Sequence, residues 1–213
     1  MTEYNKIETL FERDKSTFTV DLSRLKASVL GTIGEWDVTE KIDGTNIRVM
    51  LSEAGEVSFG GRTDVAQIPA DLVQYLVRTF PQDRLKNALW LDGTPVSVVL
   101  YGEGYGAGIQ KDGHLYRPDK AFILFDVLVG GTWWLSREDV EDVGRKLGLD
   151  VVPYLGRMTL EQIVETVRMP FASKIGTATA EGIVARPIET LFDKHMKRVI
   201  IKLKTRDFRA GKR

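Results

Sequence analysis

The chain has 213 residues, room for one domain or two small ones. With 43% hydrophobic and 28% charged residues it has the composition of a folded globular chain, not a disordered or fibrous one. It contains no cysteine, which excludes disulfide frameworks, thiolate zinc sites and cysteine nucleophiles, and its 30 basic and 30 acidic residues cancel, so a polyanion would have to be met by local charge.

The opening stretch, Met1 to Asp14, is polar and mixed in charge and lacks the pattern of a secretion signal. No apolar run approaches the roughly 18 residues of a membrane span, so a cytoplasmic protein without membrane contacts is expected. Trp36 to Leu51 reads as a long β-rich stretch broken at Asp43-Gly44. Val57 to Gly60 follows a Glu53–Glu56 turn as the return strand of a hairpin. Pro69 opens a helix over Ala70 to Thr79, with Leu72, Leu76 and Val73 facing inward. Pro95 to Tyr101 is a β-branched strand running into a glycine-rich segment, and Ala121 to Val129 is apolar enough for a strand covered on both faces. Thr132 to Leu135 follows the Gly130-Gly131 turn. Ser136 caps a helix from Arg137 to Leu147, and Thr159 with Gln162 forms a capping box for Leu160 to Arg168. Gly182 to Ala185 and Arg198 to Lys204 complete the strands. The order lacks regular β-α-β alternation, which predicts an α+β fold with mostly antiparallel sheets and flanking helices.

Lys41, in Glu40-Lys41-Ile42-Asp43-Gly44, stands at the end of a strand just before a tight turn. A lysine is nucleophilic only as the free amine, which is rare near neutrality for a group with a pKa of about 10.4. Burial or a nearby cation would lower that value. Taken alone, the same residues also describe an ordinary hairpin with an exposed lysine.

Further motifs narrow the choice. Lys41-Ile42-Asp43-Gly44 resembles the KxDG signature of covalent nucleotidyltransferases, the superfamily of DNA ligases, RNA ligases and capping enzymes. Gly61-Arg62-Thr63, Leu100 to Gly106, Phe122 to Val127, Glu181 to Pro187 and Ile200 to Lys204 resemble the elements that follow it, in the same order. Glu181-Gly182-Ile183-Val184-Ala185-Arg186-Pro187, Gly106-Ala107-Gly108-Ile109-Gln110 and Asn46 are closest to the ATP-dependent RNA ligase 2 family. The resemblance implies a single nucleotidyltransferase (ATP-grasp-like) domain over residues 1–213. Nine residues follow Lys204, so neither an OB-fold nor the helical domain of that family is expected there. This leaves room for a partner chain in its place.

The resemblance also implies residue roles. Lys41 is the nucleophile that takes AMP from ATP. Lys202 and Lys204, two residues apart on a strand and so on one face, steady the phosphates; without Lys41 opposite them they would be an ordinary edge-strand pair. Glu181 serves the chemistry linked to Mg2+ or Mn2+. Asp43 holds metal-bound water or is only the acid of an Asp-Gly turn. Glu103 holds a metal or the ribose hydroxyls. Arg62 holds ribose or phosphate, or makes a hairpin salt bridge. Phe125 is an adenine shelf or a core residue, Asp126 orients ribose or a motif lysine, and the Glu40 backbone meets the adenine edge. Arg186 contacts the nucleic acid, and Asn46 does so in end joining or is a turn amide. By its charge, the basic stretch of Lys202, Lys204, Arg206, Arg209, Lys212 and Arg213 meets a phosphate backbone or is a frayed terminus. His114 and His195 lie in polar segments and read as surface residues. The implied activity is ATP-dependent joining of RNA 5′-phosphate and 3′-hydroxyl ends, at a nicked duplex with RNA on the 3′-hydroxyl side or elsewhere. The alternatives are a DNA-nick ligase, a GTP-using capping enzyme and a non-catalytic nucleotide- or RNA-binding domain.

Overall fold

In chain order the strands are β1 (Glu8–Thr9), β2 (Phe11–Arg13), β3 (Val20–Leu25), β4 (Trp36–Lys41), β5 (Thr45–Leu51) and β6 (Val57–Gly60). Helices α1 (Ala70–Thr79) and α2 (Gln82–Leu89) come next, then β7 (Val98–Gly106), β8 (Lys120–Val129) and β9 (Trp133–Trp134). After α3 (Arg137–Lys146) come β10 (Asp150–Val151), β11 (Tyr154–Met158), α4 (Leu160–Arg168), β12 (Gly182–Pro187) and β13 (Ile201–Lys204). The structure is a computed structural model and describes residues 3–209. Among the described strands, β1 with β13 and β10 with β8 pair in parallel and the other strand pairs are antiparallel, so the α+β fold with mostly antiparallel sheets is as expected. No barrel forms among the described residues, and no described helix is long and apolar enough to cross a membrane.

The chain packs as two compact units, Met1–Tyr4 with Asp43–Val152, and Asn5–Ile42 with Pro153–Arg213. The first unit is built on a six-stranded sheet in the order β10-β8-β7-β5-β6, with β9 on β8. Alternation sends Ile47, Val49 and Leu51 of β5 and Val98 and Leu100 of β7 into one core. Leu72 and Leu76 of α1, Leu85 of α2, and Val140 and Val143 of α3 close over them. The opposite face carries Asn46, Arg48, Tyr101 and Glu103. β7 runs on past its expected end at Tyr101: Gly102 and Gly104 pair with β8 on one side and β5 on the other, and Gly106 pairs with β8 alone.

β8 changes parity midway. Tyr101 pairs with Asp126 and Gly102 with Leu124, leaving Phe125 as the extra residue of a bulge. Phe122 and Leu124 enter the core before it, and Val127 enters after it. Asp126 is thereby turned to the other face.

The second unit is a five-stranded sheet in the order β1-β13-β12-β4-β11, with the β2-β3 ribbon beside it in sequence. Trp36 and Val38 of β4, Ile183 and Ala185 of β12, and Ile201 and Leu203 of β13 face a core closed by Ile163 and Val167 of α4. The Thr159 capping box starts α4 as expected: the Gln162 N–H donates to the Thr159 hydroxyl, and the Thr159 N–H donates to Gln162 Oε1 at 2.9 Å.

Candidate active site

The second unit holds the lysines. Along β4, Trp36, Val38 and Glu40 are buried, so Asp37, Thr39 and Lys41 take the other face. Across the sheet Lys41 pairs with Gly182, and Gly182 pairs with Lys204. The three form one row, and Thr39, Val184 and Lys202 form the next. Lys202 and Lys204 therefore share the face of Lys41. Gly182 has no alternative in the middle of that row: a Cβ there would lie 2.2 Å from the Leu203 carbonyl oxygen and 2.7 Å from Lys204 Cα.

Glu181, just ahead of β12, receives both lysines. Lys41 Nζ lies 2.7 Å from Oε2, and Lys204 Nζ donates to Oε1. The three side chains are 13–21% exposed, so the pairs are shielded well beyond an ordinary surface salt bridge. Burial disfavours the Glu181 carboxylate, but the charge of Lys41 and the hydrogen bonds from both lysines outweigh it and hold its pKa below the ordinary 4.5. Burial, aided by the charges of Lys204 and Lys41, pulls the Lys202 pKa below its ordinary 10.5. Beside Lys202 on β1, the Thr9 hydroxyl is buried without a hydrogen-bond partner.

Glu40 faces away from this cluster. Its buried carboxylate accepts from the Ser173 hydroxyl and, at 2.8 Å, from the Lys174 N–H, and its own N–H donates to the Pro153 carbonyl at 2.9 Å. The side chain thus anchors the segment after α4. Arg186 lies on the Lys41 face, opposite Asp37 in strand register; the Asp37 carboxylate accepts from the Tyr154 hydroxyl at 2.8 Å and meets Arg157 at 3.4 Å. In the terminal basic stretch Arg206 and Arg209 are exposed, whereas Asp207, its one acid, is buried on Arg13 at 2.6 Å. Lys212 and Arg213 lie outside the described residues. His114 and His195 are exposed, as expected.

The remaining expected site residues belong to the first unit. Gly44 is required by close approach: a Cβ would sit 2.3 Å from the Gly104 carbonyl oxygen and 2.7 Å from Glu103 Cγ. Gln110 Nε2 donates to the Gly44 carbonyl at 2.8 Å, and the Asp43 N–H donates to the Tyr116 hydroxyl at 3.5 Å, so the turn carrying Asp43 is held from both sides. Asn46 pairs across the sheet with Glu103, and its Oδ1 is buried without a hydrogen-bond partner. Arg62 is exposed in the loop after β6. Phe125 is partly buried and Asp126 fully so. Asp126 accepts from the Tyr4 hydroxyl at 2.8 Å and from the Val127 N–H at 3.1 Å.

Sequence reasoning missed three residues here. Arg48 is 1% exposed; its Nε donates to the Gly61 carbonyl at 2.8 Å and its Nη2 to Asp64 at 2.7 Å, bracketing Arg62. A charged residue inside the apolar run of β5 was the available signal. Gln110 stood in the Gly106–Gln110 run without a role of its own, and Tyr4 carried no signal; both contacts depend on pairing across the fold. Among the described residues no three His, Asp or Glu side chains gather into a metal cage. Glu181 and Asp43 each offer a carboxylate, and Mg2+ or Mn2+ sites suit one or two carboxylates completed by water and phosphate oxygens.

The RNA ligase family model matches residues 34–204. The chain belongs to the RNA ligase family. Among solved structures it is similar to a glutamate-to-alanine variant of Naegleria gruberi RNA ligase with AMP and Mn, at 17% identity and a TM-score of 0.67 over 96% of this chain and 56% of that one. A second variant of that ligase, with ATP and Mn, matches at 18% identity and TM-score 0.61, over 92% of this chain and 55% of that one. The same ligase with PPi matches at 19% and 0.62, over 94% and 61%. At these identities the likeness is one of fold, and this chain spans 55–61% of the length of those proteins. Lys41, Glu181, Lys202 and Lys204 all lie within the matched range.

Proposed function

We propose that the chain is an ATP-dependent RNA ligase acting through a lysyl-AMP intermediate. The observation that carries this reading is the row of Lys41, Gly182 and Lys204 with Glu181 bridging its two lysines. Lys41, as the free amine, attacks the α-phosphorus of ATP; the P–N bond forms as the bond to pyrophosphate breaks, and Nζ sheds a proton. Glu181 orients Lys41. Its lowered pKa makes it a weak proton store, so its service is alignment and charge balance. Lys202 and Lys204 supply positive charge where the phosphate oxygens gather it.

Phe125, Asp126, Arg62 and Glu103 are assigned to the nucleoside, with Glu40 contributing backbone only. Glu181 and Asp43 are each assigned a carboxylate role toward Mg2+ or Mn2+, which when bound would neutralise phosphate charge. AMP then passes to an RNA 5′-phosphate, and a 3′-hydroxyl attacks to release it. Asn46, Arg186 and the exposed Arg206 and Arg209 meet the RNA, at a nick with RNA on the 3′-hydroxyl side, and a partner chain extends that grip.

Two independent supports join the geometry: the matches include a ligase with AMP or ATP and Mn, and Asn46 keeps a buried oxygen without a partner. The experiment is incubation with ATP or GTP labelled at the α-phosphate, then denaturing electrophoresis and peptide mapping. Label from ATP on Lys41, lost in Lys41→Ala and Lys41→Arg, is the expected result. Label from GTP alone, or label retained in both variants, refutes the mechanism. Sealing assays on nicks with ribose or deoxyribose at the 3′-hydroxyl then decide the substrate.

A further inference from the structure

The family match begins at residue 34, and the segment Glu3–Tyr4 lies outside it. Yet these two residues hold the positions assigned above to the nucleoside. The Tyr4 hydroxyl donates to Asp126 at 2.8 Å. Its ring meets Phe125 edge-on, with centroids 5.1 Å apart and planes at 73°. The ring also packs on Tyr101 at 5.0 Å and Trp134 at 5.9 Å. One residue earlier, the Glu3 carboxylate accepts from the Asp64 N–H at 3.1 Å. Asp64 in turn holds Arg48, whose other contact is the Gly61 carbonyl. Both Phe125–Asp126 and the loop carrying Arg62 are therefore tied to one short segment.

Burial alone would ask only for a large apolar side chain at position 4. The hydroxyl on a buried carboxylate asks for more. The bulge at Phe125 also lacks regular strand pairing, so that ring depends on side-chain neighbours for its orientation. We infer that Tyr4 is a positioning residue for the nucleotide, aligning the Phe125 ring as a base shelf and the Asp126 carboxylate beside it, and so setting the affinity for ATP rather than the rate of the Lys41 step. This rests on the ATP reading above.

The test is calorimetric binding of ATP with magnesium in a Lys41→Ala background, where no adduct forms, with Tyr4→Phe or Tyr4→Ala added. Tyr4→Phe keeps the ring and removes the hydroxyl. Its Kd is expected to rise about tenfold, the scale of a lost hydrogen bond to a charged group, and that of Tyr4→Ala further. With Lys41 intact, Tyr4→Phe should raise the half-saturating ATP for adduct formation by a similar factor and keep the saturated rate, while its thermal midpoint falls by roughly 3–6 °C. A general packing role would instead lower saturated rate and midpoint together. An unchanged Kd in both variants overturns the inference, as does a loss confined to the saturated rate. No ATP binding in the Lys41→Ala background also overturns it. ATP binding without any adduct in the unsubstituted chain sinks the ligase reading alone, and Tyr4 is then judged on Kd.

Discussion

Glu181→Gln is the sharpest perturbation of the lysine cluster, because the amide keeps the size of the side chain and removes only its charge. Two ammonium groups then face each other across Gly182, with Lys202 alongside and no counter-charge between them. An exposed pair is worth under about 1 kcal/mol, and breaking a buried one costs about 3–5 kcal/mol. At 13–21% exposure this cluster lies between those limits, and about 2 kcal/mol is expected. For a chain of this length that is a fall of roughly 4–8 °C in thermal midpoint, read by circular dichroism at neutral pH. The pH dependence checks the cause. Burial opposes the charge of Glu181, the lysines more than reverse this, and the folded pKa lies below the unfolded 4.5. The carboxylate's contribution is therefore full above 4.5 and disappears as pH falls through the folded value. The gap between the unsubstituted chain and Glu181→Gln should stay constant from neutral to mildly acidic pH and close below that. A gap under about 1 °C at neutral pH, or one that widens in acid, refutes the argument.

Gly182→Ala should be among the most damaging single-methyl changes, since the added Cβ meets backbone at 2.2 Å and 2.7 Å. A cost above about 3 kcal/mol is expected, visible as a large drop in midpoint or soluble yield; an unchanged midpoint would mean that β12 and β13 part without penalty. Lys202→Met should do the reverse, stabilising the fold while abolishing adduct formation. Burial and two neighbouring lysines lower the Lys202 pKa, so its cost is full at neutral pH and fades as pH rises through the folded value towards 10.5. Solvent screens part of it, so a gain of roughly 0.5–1 kcal/mol is expected, or about 1–4 °C in midpoint. A fall in midpoint would assign Lys202 a structural role instead.

The parts of the fold legible in the sequence are those written in local pattern. α1 and α4 lie at the residues their capping and apolar spacing indicate, and α3 differs by one residue. α2 was missed although Pro81, Asp83, Leu85 and Leu89 carry a helical start and an inward face; eight residues between a helix and a tryptophan turn read as a connection. β1 and β10 have two residues each and exist only because distant strands, β13 and β8, offer parallel edges. No propensity marks such strands. The expected strand from Arg198 likewise starts only at Ile201, where pairing with β12 begins. At the site, the spacing of Lys202 and Lys204 sufficed to place them on one face. Their alignment with Lys41 depends on β12 lying between β13 and β4, which is a matter of topology.

Phe125 was the least legible site residue, because Ala121 to Val129 is apolar almost throughout and a core reading competed strongly with the shelf. The charge of Asp126 resolves them. Phe122 and Leu124 point into the core, and strict alternation would send Asp126 after them. An unpaired carboxylate there would cost several kcal/mol on the order of a buried charge. One inserted residue removes the conflict: alternation resumes with Val127 in the core and Asp126 on the far face, where the Tyr4 hydroxyl meets it at 2.8 Å. The insertion leaves Phe125 outside the ladder, beside Asp126 and against the Tyr4 ring. The residue proposed as the nucleobase shelf is thus freed from the core by the same bulge that keeps its acidic neighbour out of it.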